Sequence, residues 1–361
     1  MKLRFLSFSL VLVLAIFVSP IQAAPKLCPA LEKMFLDVEP RRPNTTRPQI
    51  LAIVIGATIQ NLTSDRSDEE AMYYIRRSSP WFKEALDLDC VDANGHPYAG
   101  AIIDGFDNAF INEPNRDTQW GYLQRFEKLS GMPGINVTME AQYWIRGAWA
   151  ARGGGYASSV TDEGWRLFGE RMAKAERHLL DNKEAGSTVP MWYEEMVEVQ
   201  TALGRPAEER ERVFREGATR YPKYYSLYRT MRAYLDPRWG GSFDAIDRMI
   251  QWSAENTKAL MGDQIYWRLY TGLLFNLRKE EDFFRDTKVD WKRYVASAGE
   301  VQRAYPDSLE YLNNMASAAC EKGDRDAFLE IRKRIGTNTL RKSWTKKAPL
   351  ELCDAKFGTD S

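Results

Sequence analysis

Apolar positions recur at helical spacing along most of the chain, and the clearest run covers 205–256. Tyr224, Leu227, Tyr228, Met231 and Leu235 fall at i, i+3, i+4, i+7 and i+11, the spacing of one buried helix face. Phe243, Ile246, Ile250 and Ala254 lay down a second stripe behind Ser242, a residue suited to an N-cap. Breakers separate the stripes: Gly204 before the first, Tyr221-Pro222 and Asp236-Pro237 between, and Trp239-Gly240-Gly241 at the last turn. The run predicts helix–turn–helix–turn–helix, the grammar of an α-solenoid.

The same spacing continues on both sides. Ala141, Trp144, Ile145, Ala148 and Trp149 predict a helix over 138–152 that stops at Gly153-Gly154-Gly155. Trp165, Phe168, Met172, Ala175 and Leu179 predict the next, capped by Thr161. Pro190 opens a helix carrying Trp192, Met196 and Val199, and further helices are expected over 263–277, 290–304, 307–321 and 324–335. Upstream, short helices are expected over 28–37 and 67–77, the latter capped by Ser67. The stretch 49–60 is read as helix, although Ile53, Val54, Ile55 and Thr58 would also suit a strand. Ser79-Pro80 and the polar run 87–97 read as loops.

Tyr221-Pro222 recurs as Tyr305-Pro306, each pair followed by a helix, which points to internal repetition. The segment 307–335 is most like a tetratricopeptide helix pair, with Gly323-Asp324 at the turn and Ala327 and Phe328 beyond. It departs from that pattern by one position after the glycine. The fold class expected is therefore all-α, a solenoid of tetratricopeptide-like helix pairs over 116–336. A mostly helical extension (24–115) precedes the array, and a basic, loop-like tail (337–361) follows it.

Composition narrows the class further. The 361 residues are 44% hydrophobic and 28% charged, the balance of a folded protein. Fifty Lys and Arg offset fifty Asp and Glu with no basic tract, which excludes the concentrated positive footprint of a nucleic-acid binder. Lys2 and Arg4, the short apolar run 6–18 and the small pair Ala23-Ala24 predict a signal peptide over 1–23, cleaved after Ala23. No later stretch approaches a membrane span, so a periplasmic or secreted location is expected. Export gives Cys28, Cys90, Cys320 and Cys353 the character of disulfide partners. Three pairings are open, and their placement in the two ends of the sequence favours Cys28–Cys90 and Cys320–Cys353.

Three segments together resemble a bacterial family of exported proteins known only as a domain of unknown function: Ala151-Arg152-Gly153-Gly154-Gly155-Tyr156-Ala157, Tyr221-Pro222-Lys223-Tyr224-Tyr225, and the stretch from Leu235 to Ser242. The resemblance covers roughly 116–255. It implies a tetratricopeptide-like helical fold and offers no catalytic residue to carry across.

Candidate chemistry is sparse. Arg152-Gly153-Gly154-Gly155 lacks the preceding strand and trailing lysine of a phosphate loop. The acidic run from Asp87 to Gly95 misaligns with a calcium loop at its first and last ligands. Only His96 and His178 are present, neither with a recognisable partner, so a catalytic triad is not expected. Glu194, Glu195 and Glu198 are the one set suited to carboxylate chemistry; on a helix 194 and 198 share a face while 195 points away, and a wet surface is expected for them. Asn44, Asn61 and Asn136 head glycosylation triplets. Trp239 reads as a plug between helices or as an aromatic platform. No metal or cofactor is expected. The function expected is a non-catalytic interaction module for a protein or peptide, with Tyr224, Tyr228, Arg238 and Trp239 as its binding residues. The alternative is an envelope glycan-active enzyme using paired carboxylates.

Overall fold

The computed structural model describes residues 28–358; the expected signal peptide lies outside them. Helices hold most of these residues, and the only β pairing among them is one isolated bridge between Val91 and Pro97. Among the described residues no helix is long and apolar enough to cross a membrane.

The N-terminal part comprises α1 (Pro29–Val38), α2 (Arg47–Gln60), α3 (Asp68–Ala85), α4 (Gly100–Ile111) and α5 (Arg116–Ser130). The ambiguous stretch at 49–60 is helix α2, opened by the Thr46 N–H donating to Gln49 Oε1 at 2.9 Å. Its β-branched residues are accommodated because α2 lies along α4 at glycine contacts: a Cβ on Gly105 would sit 2.5 Å from Ile55 Cγ2. Helix α4 is not among the helices expected above, although Ile102, Phe106, Ala109 and Phe110 fall at helical spacing and are buried. Nor does a break occur at Ser79-Pro80, because α3 runs through it. The Ser78 and Ser79 hydroxyls donate to the carbonyls of Tyr74 and Ile75, bonding the turn that a proline would otherwise weaken.

The array that follows is built from antiparallel pairs. They are α6 (Pro133–Arg152) with α7 (Asp162–Asp181), then, after the single turn α8 (Lys183–Gly186), α9 (Met191–Ala202) with α10 (Ala207–Arg220). Next come α11 (Tyr225–Tyr234) with α12 (Phe243–Met261), then α13 (Gln264–Leu274) with α15 (Trp291–Ala304), separated by the single turn α14 (Phe283–Asp286). The last pair is α16 (Leu309–Lys322) with α17 (Arg325–Ile335). Successive contacts of α6, α9, α11, α13 and α16 form an inner layer, and α7, α10, α12, α15 and α17 form the outer one. The Tyr-Pro echo has a structural meaning: Tyr221 and Tyr305 each end an outer helix, donating N–H to Gly217 and Val301 at 2.8 and 2.9 Å. The expected caps are present too, with Thr161 and Ser242 oxygens accepting from Gly164 and Ala245 N–H.

Cys28 is bonded to Cys90 and Cys320 to Cys353. The C-terminal tail is not loop-like as expected. It ends in helix α18 (Leu350–Phe357), held by the Cys320–Cys353 bond and by Arg332 gripping both oxygens of Asp354 at 2.8 and 3.0 Å. Trp344 Nε1 donates to the buried Asn313 at 2.9 Å, so the intervening strap is also fastened.

Candidate binding groove

Side chains from the inner helices build two separate features, a groove and a cluster of acids. The groove is a cavity of ≈ 310 Å³ walled by Tyr225, Trp267, Phe275 and Tyr311, with Arg268 and Gly272 of α13 and Glu310 of α16 also in its lining. Arg268 is 7% exposed and lies over three tyrosine rings, 5.2 Å from the centroids of Tyr305 and Tyr311 and 5.7 Å from Tyr225. Arg232 of α11, 5% exposed, comes close behind Gly272. A Cβ on Gly272 would stand 3.6 Å from Arg232 Nε and from the Tyr225 hydroxyl.

His96 of the polar 87–97 loop, which the sequence shows only as punctuation, lines this groove. Asp92 Oδ1 accepts N–H bonds from Asn94 and His96 at 2.9 Å, shaping the tip. The tip reaches across to the far end of the array. Asn94 carbonyl oxygen accepts from Arg268 Nη2 at 2.9 Å and from the Tyr311 hydroxyl, and Ser308 donates to Asn94 Oδ1 at 2.6 Å. His96 stacks on Tyr225 with ring centroids 5.6 Å apart, and Lys223 pairs with Asp89.

In the cluster of acids, Glu194 of α9 accepts three hydroxyl hydrogen bonds, from Tyr224 at 2.6 Å, Ser226 at 2.7 Å and Thr230 at 2.8 Å. Glu198, one turn on, accepts from Trp149 Nε1 at 2.8 Å. Asp107 of α4 pairs with Arg146 at 2.5 Å. Glu195 is different. It is 2% exposed, and neither carboxyl oxygen has a hydrogen-bond partner. Burial, reinforced by the charges of Glu198, Glu194 and Asp107, pushes its carboxyl well above the usual range, which favours the protonated form. Burial raises Glu198 and Asp107 as well, opposed by the Trp149 bond in one and by Arg146 in the other. The wet surface expected for these acids is therefore corrected at Glu195: α9 is covered by α6, α7, α10 and α11, which buries Glu195, while Glu194 and Glu198 share the partly exposed face.

The four expected binding residues are not brought together. Tyr224 and Tyr228 are 1% and 0% exposed; the first bonds Glu194 and the second donates to the Ala218 carbonyl at 3.2 Å, so both are core rather than anchors. Arg238 is half-exposed and grips Asp236 through Nε and Nη2 at 2.7 and 2.9 Å. Trp239 is 53% exposed, edge-on to Tyr234, and plugs no gap between helices. Of the two histidines, His96 is a groove residue, and His178 Nε2 lies 3.1 Å from the Val137 carbonyl oxygen. Asn136 is 5% exposed inside α6, which removes it as a modification site in the folded protein. Among the described residues no group of three His, Cys, Asp or Glu side chains is placed to hold a metal ion.

No protein-family model and no curated protein matches the sequence, so the resemblance of 116–255 to an exported bacterial family stands without such support. Among solved structures the protein is similar to the crystal structure of yeast Tom70, at 12% identity over 85% of this chain and 63% of that one, with a TM-score of 0.34. The class defined by the protein's own architecture is an all-α helical-repeat array.

Proposed function

We propose that the protein is an interaction module that holds a segment of a protein or peptide partner in the groove between its inner helices, without catalysis of its own. The observation that carries this reading is the ≈ 310 Å³ cavity, where aromatic walls meet the buried guanidinium of Arg268. Apolar walls with a few fixed polar groups are the usual make-up of a recognition pocket, and aromatic and Arg side chains are the usual anchors of an interface. The module is expected to act outside the cytoplasm, in keeping with the two disulfides.

A peptide panel read by fluorescence anisotropy tests it, with Gly272→Leu as the control. Gly272 has room for a side chain that would grow into the cavity. Binding peptides should lose at least tenfold in affinity on Gly272→Leu while Tm stays within about 2 °C. Peptides that bind the variant equally well would remove the groove from the reading.

A second reading, an envelope glycan-active enzyme, is favoured by one observation: Glu194 and Glu198 are partly exposed one turn apart on α9 in different surroundings, the first ringed by hydroxyls and the second with its carboxyl raised by burial. Carboxyl pairs whose environments differ are how acid and base roles are divided. Turnover of an envelope glycan that disappears in Glu194→Gln and Glu198→Gln, with the fold intact, would establish it in place of the first.

A further inference from the structure

Two guanidiniums, Arg268 in the lining of the groove and Arg232 beside Gly272, carry buried N–H groups with nothing to bond. Arg232 Nε and Arg268 Nη1 are both shielded from solvent and have no acceptor. Among the described residues no carboxylate forms an ion pair with either. The nearest candidates are committed elsewhere: Asp236 is held through both oxygens by Arg238, and Glu310 accepts from Asn94 Nδ2 at 3.3 Å. A buried lysine or histidine escapes such a position by losing its proton, but a guanidinium stays charged. An unpaired buried charge is costly to fold around. A Cβ on Gly272 would stand 3.6 Å from Arg232 Nε, and Arg268 lines the same cavity as Gly272, so Gly272 is the position that relates the two groups.

We infer that Arg232 and Arg268 form the floor of a carboxylate-binding site, built to receive a carboxylate flanked by an apolar or aromatic side chain. The inference rests on the groove reading above and names the chemistry of its ligand. One N–H from each guanidinium supplies a charge-assisted hydrogen bond to each carboxylate oxygen. Lys342 at the rim adds long-range attraction. Tyr225, Trp267 and Phe275 supply the apolar wall for the neighbouring side chain. The carboxylate belongs to an acidic side chain or to the free C-terminus of a peptide.

The test uses N-acetylphenylalanine, its amide, inorganic phosphate and two acetylated, amidated dipeptides, Phe-Glu and Phe-Gln. Binding is followed through the side-chain Nε–H resonance of Arg232 in the full-length protein. N-acetylphenylalanine or the Phe-Glu peptide should shift that resonance saturably, while the amide and the Phe-Gln peptide should not. Which of the two carboxylates acts tells a C-terminus from a side chain. Arg232→Met should abolish the binding, at least tenfold, and leave Tm unchanged or raised, because an uncompensated buried charge has been replaced by an apolar side chain of similar length. A merely structural arginine would instead lower Tm. Phosphate that binds while both carboxylates fail would overturn the ligand class. Peptides that are displaced by Gly272→Leu yet bind Arg232→Met normally would overturn the arginine site and leave the groove standing. Absence of any groove response to peptides or carboxylates would overturn both.

Discussion

Glu195 is the residue whose chemistry departs furthest from its sequence neighbourhood. Its folded carboxyl sits well above its ordinary value near 4.5, held up chiefly by burial and then by the neighbouring acids. The native state therefore keeps a proton that the unfolded state releases, and its contribution to stability is present below about pH 4.5 and lost as pH rises through the folded value. Glu195→Gln should flatten the decline of stability above that pH and leave the more acidic range nearly unchanged. A displacement of one pKa unit is worth about 1.4 kcal/mol, so denaturant titrations at pH 4, 6 and 8 would resolve it. A variant with the same pH slope as the parent would show that Glu195 is ionised in the fold. Gly240 and Gly241 make a second residue-scale case. Gly240 has φ +82°, and a Cβ on Gly241 would overlap the Leu235 carbonyl. Valine at either position should cost about 1–3 kcal/mol in strain, measured as a fall in Tm; unchanged melting in both variants would make the turn a binding surface instead.

Elements are held by devices that differ between the two ends of the molecule. At the C-terminus, Cys320–Cys353 closes 33 residues and secures α18 together with the Arg332–Asp354 pair. Replacing both cysteines by serine should cost roughly 2–4 kcal/mol, seen as a lower urea midpoint with α18 losing its amide protection first. At the N-terminus, Cys28–Cys90 closes 62 residues and anchors the base of the 87–97 loop. Here the double serine variant should also disturb the groove, because the loop tip supplies the Asn94 carbonyl that Arg268 binds. A changed Arg268 environment without a change in helix content would mark that coupling.

At the scale of the whole molecule, sequence legibility follows burial geometry. Outer helices α7, α10 and α12 bury one face, so Phe168, Met172, Ile246 and Ile250 leave a readable stripe. Two of the inner helices, α9 and α13, are covered nearly all round. In α9 and α13 apolar and polar residues alike are buried, which erases the stripe and hides which side chain faces the groove. The spacing of Tyr224 and Tyr228 puts both on a buried face, and that same placement excludes them as anchors. The groove itself is not legible in the sequence. Its contacts join residues 174 to 217 positions apart, from Asn94 to Arg268 and Tyr311, and local periodicity carries no information over such distances.

The loop tip at Asn94 also changes how the protein must fold. An open solenoid can nucleate anywhere and fray from either end, since each repeat touches only its neighbours. Here the tip binds Ser308, Glu310 and Tyr311, so the first and last thirds are fastened together across the array. Such non-local closure is slow to form, because the loop entropy must be met before the contacts form. During synthesis the 87–97 segment waits for α16 to emerge. Once closed, the array should open as one unit: native-state hydrogen exchange is expected to give amides near 91–98 and in α16 a common opening free energy. Independent values at the two ends would show that the closure does not couple them.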